Sequence, residues 1–266
     1  MLLILGQGYS GGFLAQAARK AGHDVLGVRR MAAPDLLAFD DPAVEQAIAR
    51  ATHIVSSVPP QGETGEDMAL SRYANAIRRS SAWVGYLSST GVYGDTGGAW
   101  VDESAPIGGG RRSSRSAADL AWQDLGATIF RLPGIYGPGR SVLDQLRAGT
   151  ARRVDRPGHR FNRIHVADIA GAVLAAMEAR ANGIFNVVDD LPGEPRHVTE
   201  FACGLSGLPL PPLLPIDLAS LPPMARGFWT EQRSVSGARL ERETGYRLQF
   251  PDYKAGLTDI WAGERR

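Results

Sequence analysis

The first thirty residues, Met1 to Arg30, constrain the fold more than any other stretch. Four apolar residues, Leu2 to Leu5, run directly into Gly6-Gln7-Gly8-Tyr9-Ser10-Gly11. Apolar residues at helical spacing follow from Phe13 to Ala21, then Gly22 as a stop and Val25 to Val28 as a second strand. Strand, glycine turn, helix and strand within about 30 residues is the setting in which G-x-G-x-x-G has a mechanical meaning. The spacing assigns Gly6 to the tight turn, Gly8 to close approach of a pyrophosphate, and Gly11 to close packing of helix on strand. The free N–H groups at the helix start, around Tyr9, Ser10 and Gly11, then face the anion along the positive end of the helix dipole.

About 20 residues after such glycines, an NAD site places Asp or Glu on the ribose 2′-hydroxyl. Here the second strand ends Gly27-Val28-Arg29-Arg30. Two guanidiniums favour the 2′-phosphate of NADP, because arginine pairs with phosphate through two parallel hydrogen bonds. NADP is therefore the expected cofactor, with NAD as the alternative. Asp40, in the helix start Asp40-Asp41-Pro42, and Ser57, in the turn Ser56–Pro60 at the carboxyl edge of the sheet, complete the expected cofactor-binding set.

The rest of the composition narrows the class. Lys and Arg total 29 against 28 Asp and Glu, and a net charge of +1 gives no electrostatic footprint for nucleic acid. No apolar run approaches the roughly 20 residues of a membrane span, and the amino-terminal strand leaves no room for a signal peptide. One cysteine, Cys203, excludes an internal disulfide, and the five histidines form no i, i+4 pair for a metal. These readings fit a cytoplasmic enzyme or binding protein acting on a small molecule, with a homodimer left open. Only two of the 29 basic residues are lysines, Lys20 and Lys254.

Strands alternate with helices along the chain. Strand patterns at His53–Val58, Trp83–Leu87, Thr128–Leu132 and Ile184–Val188 are separated by helix patterns at about 42–50, 67–79, 113–125 and 168–180. That alternation predicts an α/β, doubly wound parallel sheet. The turns Ser56–Pro60, Ser88–Gly94 and Pro133–Arg140 all follow strands, so they converge on one edge, where ligands bind in such sheets. A pocket there is expected between Ser89, Tyr93 and Arg140. From Leu191 prolines crowd the chain, which reads as an irregular segment with two short helices after it, Ser236–Thr244 and Asp252–Trp261. The expected division is a nucleotide-binding domain over 1–190 and a small substrate lobe over 191–266.

Taken together the segments resemble the extended or atypical branch of the short-chain dehydrogenase/reductase superfamily, the NAD-dependent epimerase/dehydratase group. The resemblance covers nearly the whole chain. It rests on Gly6 to Gly11, Ser88-Ser89-Thr90-Gly91-Val92-Tyr93-Gly94, Arg131 to Arg140, Arg163-Ile164-His165-Val166-Ala167-Asp168 and Phe185-Asn186-Val187. It implies a Rossmann-type fold, an NAD(P) cofactor and a small polar substrate such as a sugar or sugar nucleotide. It further implies that Ser89 orients a substrate oxygen, and that a Tyr-x-x-x-Lys pair follows to move the proton. No such pair exists between Tyr93 and Tyr136. The corresponding stretch, Gly110 to Ser116, places Arg111 and Arg115 where tyrosine and lysine would stand. Guanidinium does not release a proton near neutral pH. The candidate catalytic set is therefore Ser89, Tyr93 and Arg115, with Tyr136 and the pair His165–Asp168 as further acids. Packing under the glycine loop is the other reading of Tyr93 and the slightly favoured one; Tyr136 reads also as structural in its turn, and Asp168 equally as a helix cap.

Two functions compete. One is an NAD(P)-dependent oxidoreductase, epimerase or dehydratase with an altered proton relay. The other is a non-catalytic NADP sensor, which explains the missing tyrosine and lysine directly. A hydroxyacid dehydrogenase fits less well, because the last 75 or so residues are short and rich in proline.

Overall fold

Strand β1 (Leu2–Leu5) is wholly buried, and its alternate side chains serve two different cores. Leu2 and Ile4 join one apolar layer, Leu3 and Leu5 the other, as the two-residue period of a strand requires. The computed structural model describes residues 1–62, 64–108, 113–217, 221 and 223–265. After β1 come α1 (Tyr9–Lys20), β2 (Val25–Arg29), β3 (Leu36–Ala38), α2 (Ala43–Arg50), β4 (His53–Ser56), α3 (Met68–Arg79) and β5 (Trp83–Ser89). The middle of the chain holds β6 (Trp100–Val101), α4 (Ser113–Asp124), β7 (Thr128–Leu132), β8 (Gly134–Tyr136), α5 (Val142–Arg147), β9 (Arg153–Asp155), β10 (Arg163–His165), α6 (Val166–Glu178) and β11 (Ile184–Asn186). The remainder holds α7 (Pro195–Ser206), β12 (Leu213–Pro215), α8 (Pro223–Thr230), β13 (Ser234–Val235), α9 (Ala238–Thr244) and α10 (Tyr253–Gly263).

Seven strands form one sheet in the order β11-β7-β5-β4-β1-β2-β3, and every neighbouring pair is parallel. Helices α1 and α6 cover one face through Leu14, Ala18, Ile169 and Val173. Helices α2, α3 and α4 cover the other through Val44, Ile48, Tyr73 and Trp122. This is the Rossmann-type doubly wound sheet expected from the alternation of strands and helices. The order reverses between β1 and β4, so a crevice opens beside the carboxyl ends of both strands.

A third core joins Tyr136 and Leu143 to Val198, Ala202, Tyr253 and Leu257. It gathers residues from both sides of position 190, and Leu240 returns to the main core. Elements after position 190 are thus packed both among themselves and against the main sheet.

Several local expectations need correction. Helix α7 lies in the segment read as irregular; Pro195 occupies its first turn, a helix-start position that the neighbouring prolines disguised. Helix α2 begins at Ala43, with Pro42 as its cap residue and the Asp41 carboxylate accepting the Ala43 N–H at 2.8 Å. Helix α6 begins at Val166, and His165 is its cap: Nδ1 accepts the Ala167 N–H at 3.3 Å. Asp168 therefore does not cap it.

Candidate functional site

The glycine turn has the shape its sequence predicts. Gly6 adopts φ +87°, and a Cβ there would lie 2.9 Å from Val58 Cγ2. A Cβ on Gly11 would lie 3.1 Å from the Gly6 carbonyl and 3.2 Å from Ile4 Cγ2, so helix and strand pack at glycine distance. Gly8 differs: its nearest neighbour would be the Gly6 carbonyl, at 3.9 Å. Its outer side is open. Helix α1 has no side-chain cap and no acidic residue in its first turn, which leaves the N–H groups of Tyr9, Ser10 and Gly11 for an anion.

The other residues assigned to the cofactor fall into two groups. Ser57 Oγ donates to the Gly6 carbonyl at 2.6 Å, so this serine braces the turn from beneath. Tyr9 reaches away, donating to the Pro138 carbonyl at 3.1 Å and carrying the Arg140 guanidinium over its ring at 5.5 Å. Arg29 ends β2 and Arg30 follows it; both are exposed, and neither side chain has a hydrogen-bond or ion-pair partner among the described residues. The turn is tied to that strand end, because the Gly6 and Gln7 N–H groups both donate to the Val28 carbonyl. Asp40 is exposed just past β3, and its backbone carbonyl accepts from Arg72.

On the far side of Tyr9 lies a cleft in two adjoining parts, which share Arg140, Phe161 and Phe228 in their walls. The smaller, of about 280 Å³, is walled by Ser88, Ser89, Arg115, Arg140, Arg160 and Arg233, among others. The larger, of about 1060 Å³, continues past Ile135, Arg140, Phe161 and Phe228 to Trp229, Leu214 and Tyr253. Ser89 and Arg115, assigned from sequence to one site, do meet here. Ser89 Oγ accepts the Gly91 N–H at 3.1 Å, which leaves its own O–H to donate outward. Arg111 lies outside the described residues.

Tyr93 does not reach this cleft. It is 5% exposed, donates to Asn186 Oδ1 at 2.8 Å, and accepts from Arg131 Nη1 at 2.9 Å. Arg131 is buried and clamps Asp119 through Nε and Nη2 at 3.1 and 2.8 Å, while Ser88 Oγ donates to the same carboxylate at 2.5 Å. Burial raises the Tyr93 pKa, and the adjacent guanidinium only partly opposes it. A buried phenol with both roles taken is a packing group, so Tyr93 leaves the list of acids.

The remaining acid candidates are also taken up by the fold. The Tyr136 hydroxyl donates to the Asp252 carbonyl at 3.3 Å, and burial followed by nearby carboxylates raises its pKa. His165 is lowered to about 4 by burial, with the rings of Tyr136 and Phe250 against it. The expected His165–Asp168 pair does not form. The Asp168 carboxylate instead accepts the Tyr246 hydroxyl at 2.8 Å and the N–H groups of Gln249 and Phe250, holding the chain after α9.

Arg160, Arg233, Phe228 and Trp229 escaped the sequence reading. They belong to no motif and reach the cleft from β9–β10 and from α8–β13, and nothing local marks them. Among the described residues no helix is long and apolar enough to cross a membrane.

No protein-family model matches the chain. Among curated proteins it is similar to a Streptomyces 3-diazoavenalumate denitrifying reductase, 29% identical over 179 residues, 59% of this chain and 58% of that protein. The chain thus spans less than two thirds of the length of that relative. A solved structure of a conserved protein of unknown function from Silicibacter pomeroyi is 37% identical, with TM-score 0.88 over 100% of this chain and 99% of that one. The human epimerase family protein SDR39U1, solved with NADPH, shares the fold at 18% identity and TM-score 0.77, over 98% of this chain and 99% of its own.

Proposed function

We propose that the chain, which shares its fold with an epimerase family protein solved with NADPH, is an NADP-dependent oxidoreductase of the epimerase/dehydratase kind, from the extended branch of the short-chain dehydrogenase/reductase superfamily, that works without a tyrosine–lysine relay. One observation carries this reading: the open glycine turn and the cleft holding Ser89 and Arg115 meet on one sheet edge, joined by Arg140 over Tyr9. The residues fit a dinucleotide. Gly8 presents open backbone, the first turn of α1 has uncapped N–H groups, and Arg29 and Arg30 are unpaired cations beside it. A nicotinamide, when bound, supplies or takes up hydride.

The chain's own part is to hold and polarise the substrate. Ser89 donates to a substrate oxygen, and Arg115 stabilises negative charge that develops there. Neither moves a proton as a tyrosine would, so any proton comes from water, which costs the usual 10²–10⁴-fold benefit of a placed acid or base. A hydride transfer that expels a leaving group needs no such acid. The curated relative is named as a denitrifying reductase of a diazo compound, a reduction with nitrogen as the group lost. Binding of NADP without turnover of any substrate is the sensor alternative.

Calorimetry with both cofactors tests the reading. NADP binds more tightly than NAD, and Arg29→Ala weakens NADP by about 1–3 kcal/mol while leaving NAD unchanged. Equal affinity removes the NADP assignment. Absence of binding to either removes the function.

A further inference from the structure

The cleft's lining restricts what can occupy it. Four guanidiniums border the smaller part, against one carboxylate, Glu231, which is already paired with Arg233. Arg140 and Arg160 have no carboxylate partner among the described residues. An uncompensated pair of cations in a recess is a place for an anion.

The larger part offers apolar surface. Phe161, Trp229 and Tyr253 present rings, and Leu214 and Phe228 stand 57% and 48% exposed at its wall. Large apolar side chains left in water around a cavity mark a ligand-binding surface. Most neutral polar groups that could read sugar hydroxyls are meanwhile spent on the protein, with Ser89, Gln145 and Tyr253 as the exceptions. Asn162 donates to the Arg233 carbonyl at 2.9 Å and accepts the Val235 N–H at 3.0 Å. Thr199 donates to backbone carbonyls, and Ser141 is closed into the capping box of α5. A sugar nucleotide has more hydroxyls than these few groups can satisfy, and each one buried without a partner costs affinity.

We propose that the substrate is a carboxylate carried on an aromatic or similarly apolar body, and that it is not a sugar nucleotide. Its anionic head lies among Arg115, Arg140 and Arg160 near Ser89, and its apolar body extends between Phe161, Phe228 and Trp229. This deepens the function proposed above and rests on that reading for the place of the reacting end.

Calorimetry on the full chain, with and without NADP, tests it with 4-hydroxycinnamate, its neutral amide and UDP-glucose as probes. The carboxylate binds, the amide binds at least about tenfold more weakly, and UDP-glucose does no better than the amide. Arg160→Gln, an exposed position, lowers carboxylate affinity about tenfold and leaves amide binding and the urea midpoint unchanged. Phe228→Ala weakens carboxylate and amide alike. Tighter binding of UDP-glucose, equal binding of carboxylate and amide, or no carboxylate binding at millimolar concentration overturns the inference. If NADP binds and the carboxylate does not, this inference alone falls. If the carboxylate binds and NADP does not, the site stands and the function proposed above falls.

Discussion

Ser88 and Ser89 are neighbours on one strand, yet they serve opposite kinds of polar cluster. Below Ser88 lies a sealed set, Asp119, Arg131, Tyr93 and Asn186, in which each polar side chain has a partner within the protein. Above Ser89 lies an open recess whose guanidiniums at Arg140 and Arg160 have no carboxylate among the described residues. By residue type the sealed set looks more like a catalytic relay, with its hydroxyl, carboxylate and phenol in sequence. Satisfaction and access decide otherwise. A buried polar group with all its partners inside stabilises the fold, whereas a polar group left without one is available to a ligand.

The sharpest way to break that contrast is to cut the sealed set. Asp119→Ala strands the Arg131 charge in the core, and removing one partner of a buried ion pair costs about 3–5 kcal/mol. Urea unfolding should show that loss. A cost below about 1 kcal/mol would mean that water already reaches the cluster, and the distinction between sealed and open would fail.

A smaller effect comes from His165, another sealed group. Burial lowers it to about 4, from an ordinary imidazole value near 6.5. Between those values the unfolded chain binds a proton that the folded chain refuses, so stability falls as pH drops through this window. The loss at about pH 4.5 relative to about pH 7 is on the order of 2 kcal/mol. His165→Asn keeps a cap acceptor for α6 and flattens this part of the pH profile. An unchanged slope in the variant would show that His165 is hydrated.

The smallest stability effect belongs to the open side. Ser89→Ala lowers unfolding free energy by about 1 kcal/mol or less, through loss of its bond from the Gly91 N–H at a half-exposed site. NADPH-linked turnover, once a substrate is found, falls by at least about tenfold through loss of the hydroxyl donor. A variant that unfolds early would place Ser89 with the sealed set after all.

How much of this was legible depended on distance along the chain. Gly6, Gly8 and Gly11 lie within six residues, and their turn, close packing and open backbone follow from local sterics. The start of the helix near Asp67 could be read for the same reason, as could most strands of the main sheet. Between catalysis and packing Tyr93 could not be decided along the chain, because its partner Asn186 is 93 positions away. Its loop position resembles that of a pocket residue, and only packing shows the side chain turned inward. Helix α7 was hidden by the proline-rich composition around it. The apolar wall of the cleft was illegible altogether, because Phe228 and Trp229 follow prolines in a segment without strong periodicity.

Sequence alone therefore determined the α/β class, the glycine turn and its arginine-ended second strand, and the absence of a tyrosine–lysine pair. Each is a matter of residue identity, short-range spacing or period, which a linear chain carries without folding. Tertiary structure decided which of two adjacent serines keeps its hydroxyl for a ligand, which tyrosine is sealed, and which arginines stand without carboxylates. Those outcomes depend on burial and on partners brought together from distant segments, and a buried group's chemistry is set by what surrounds it.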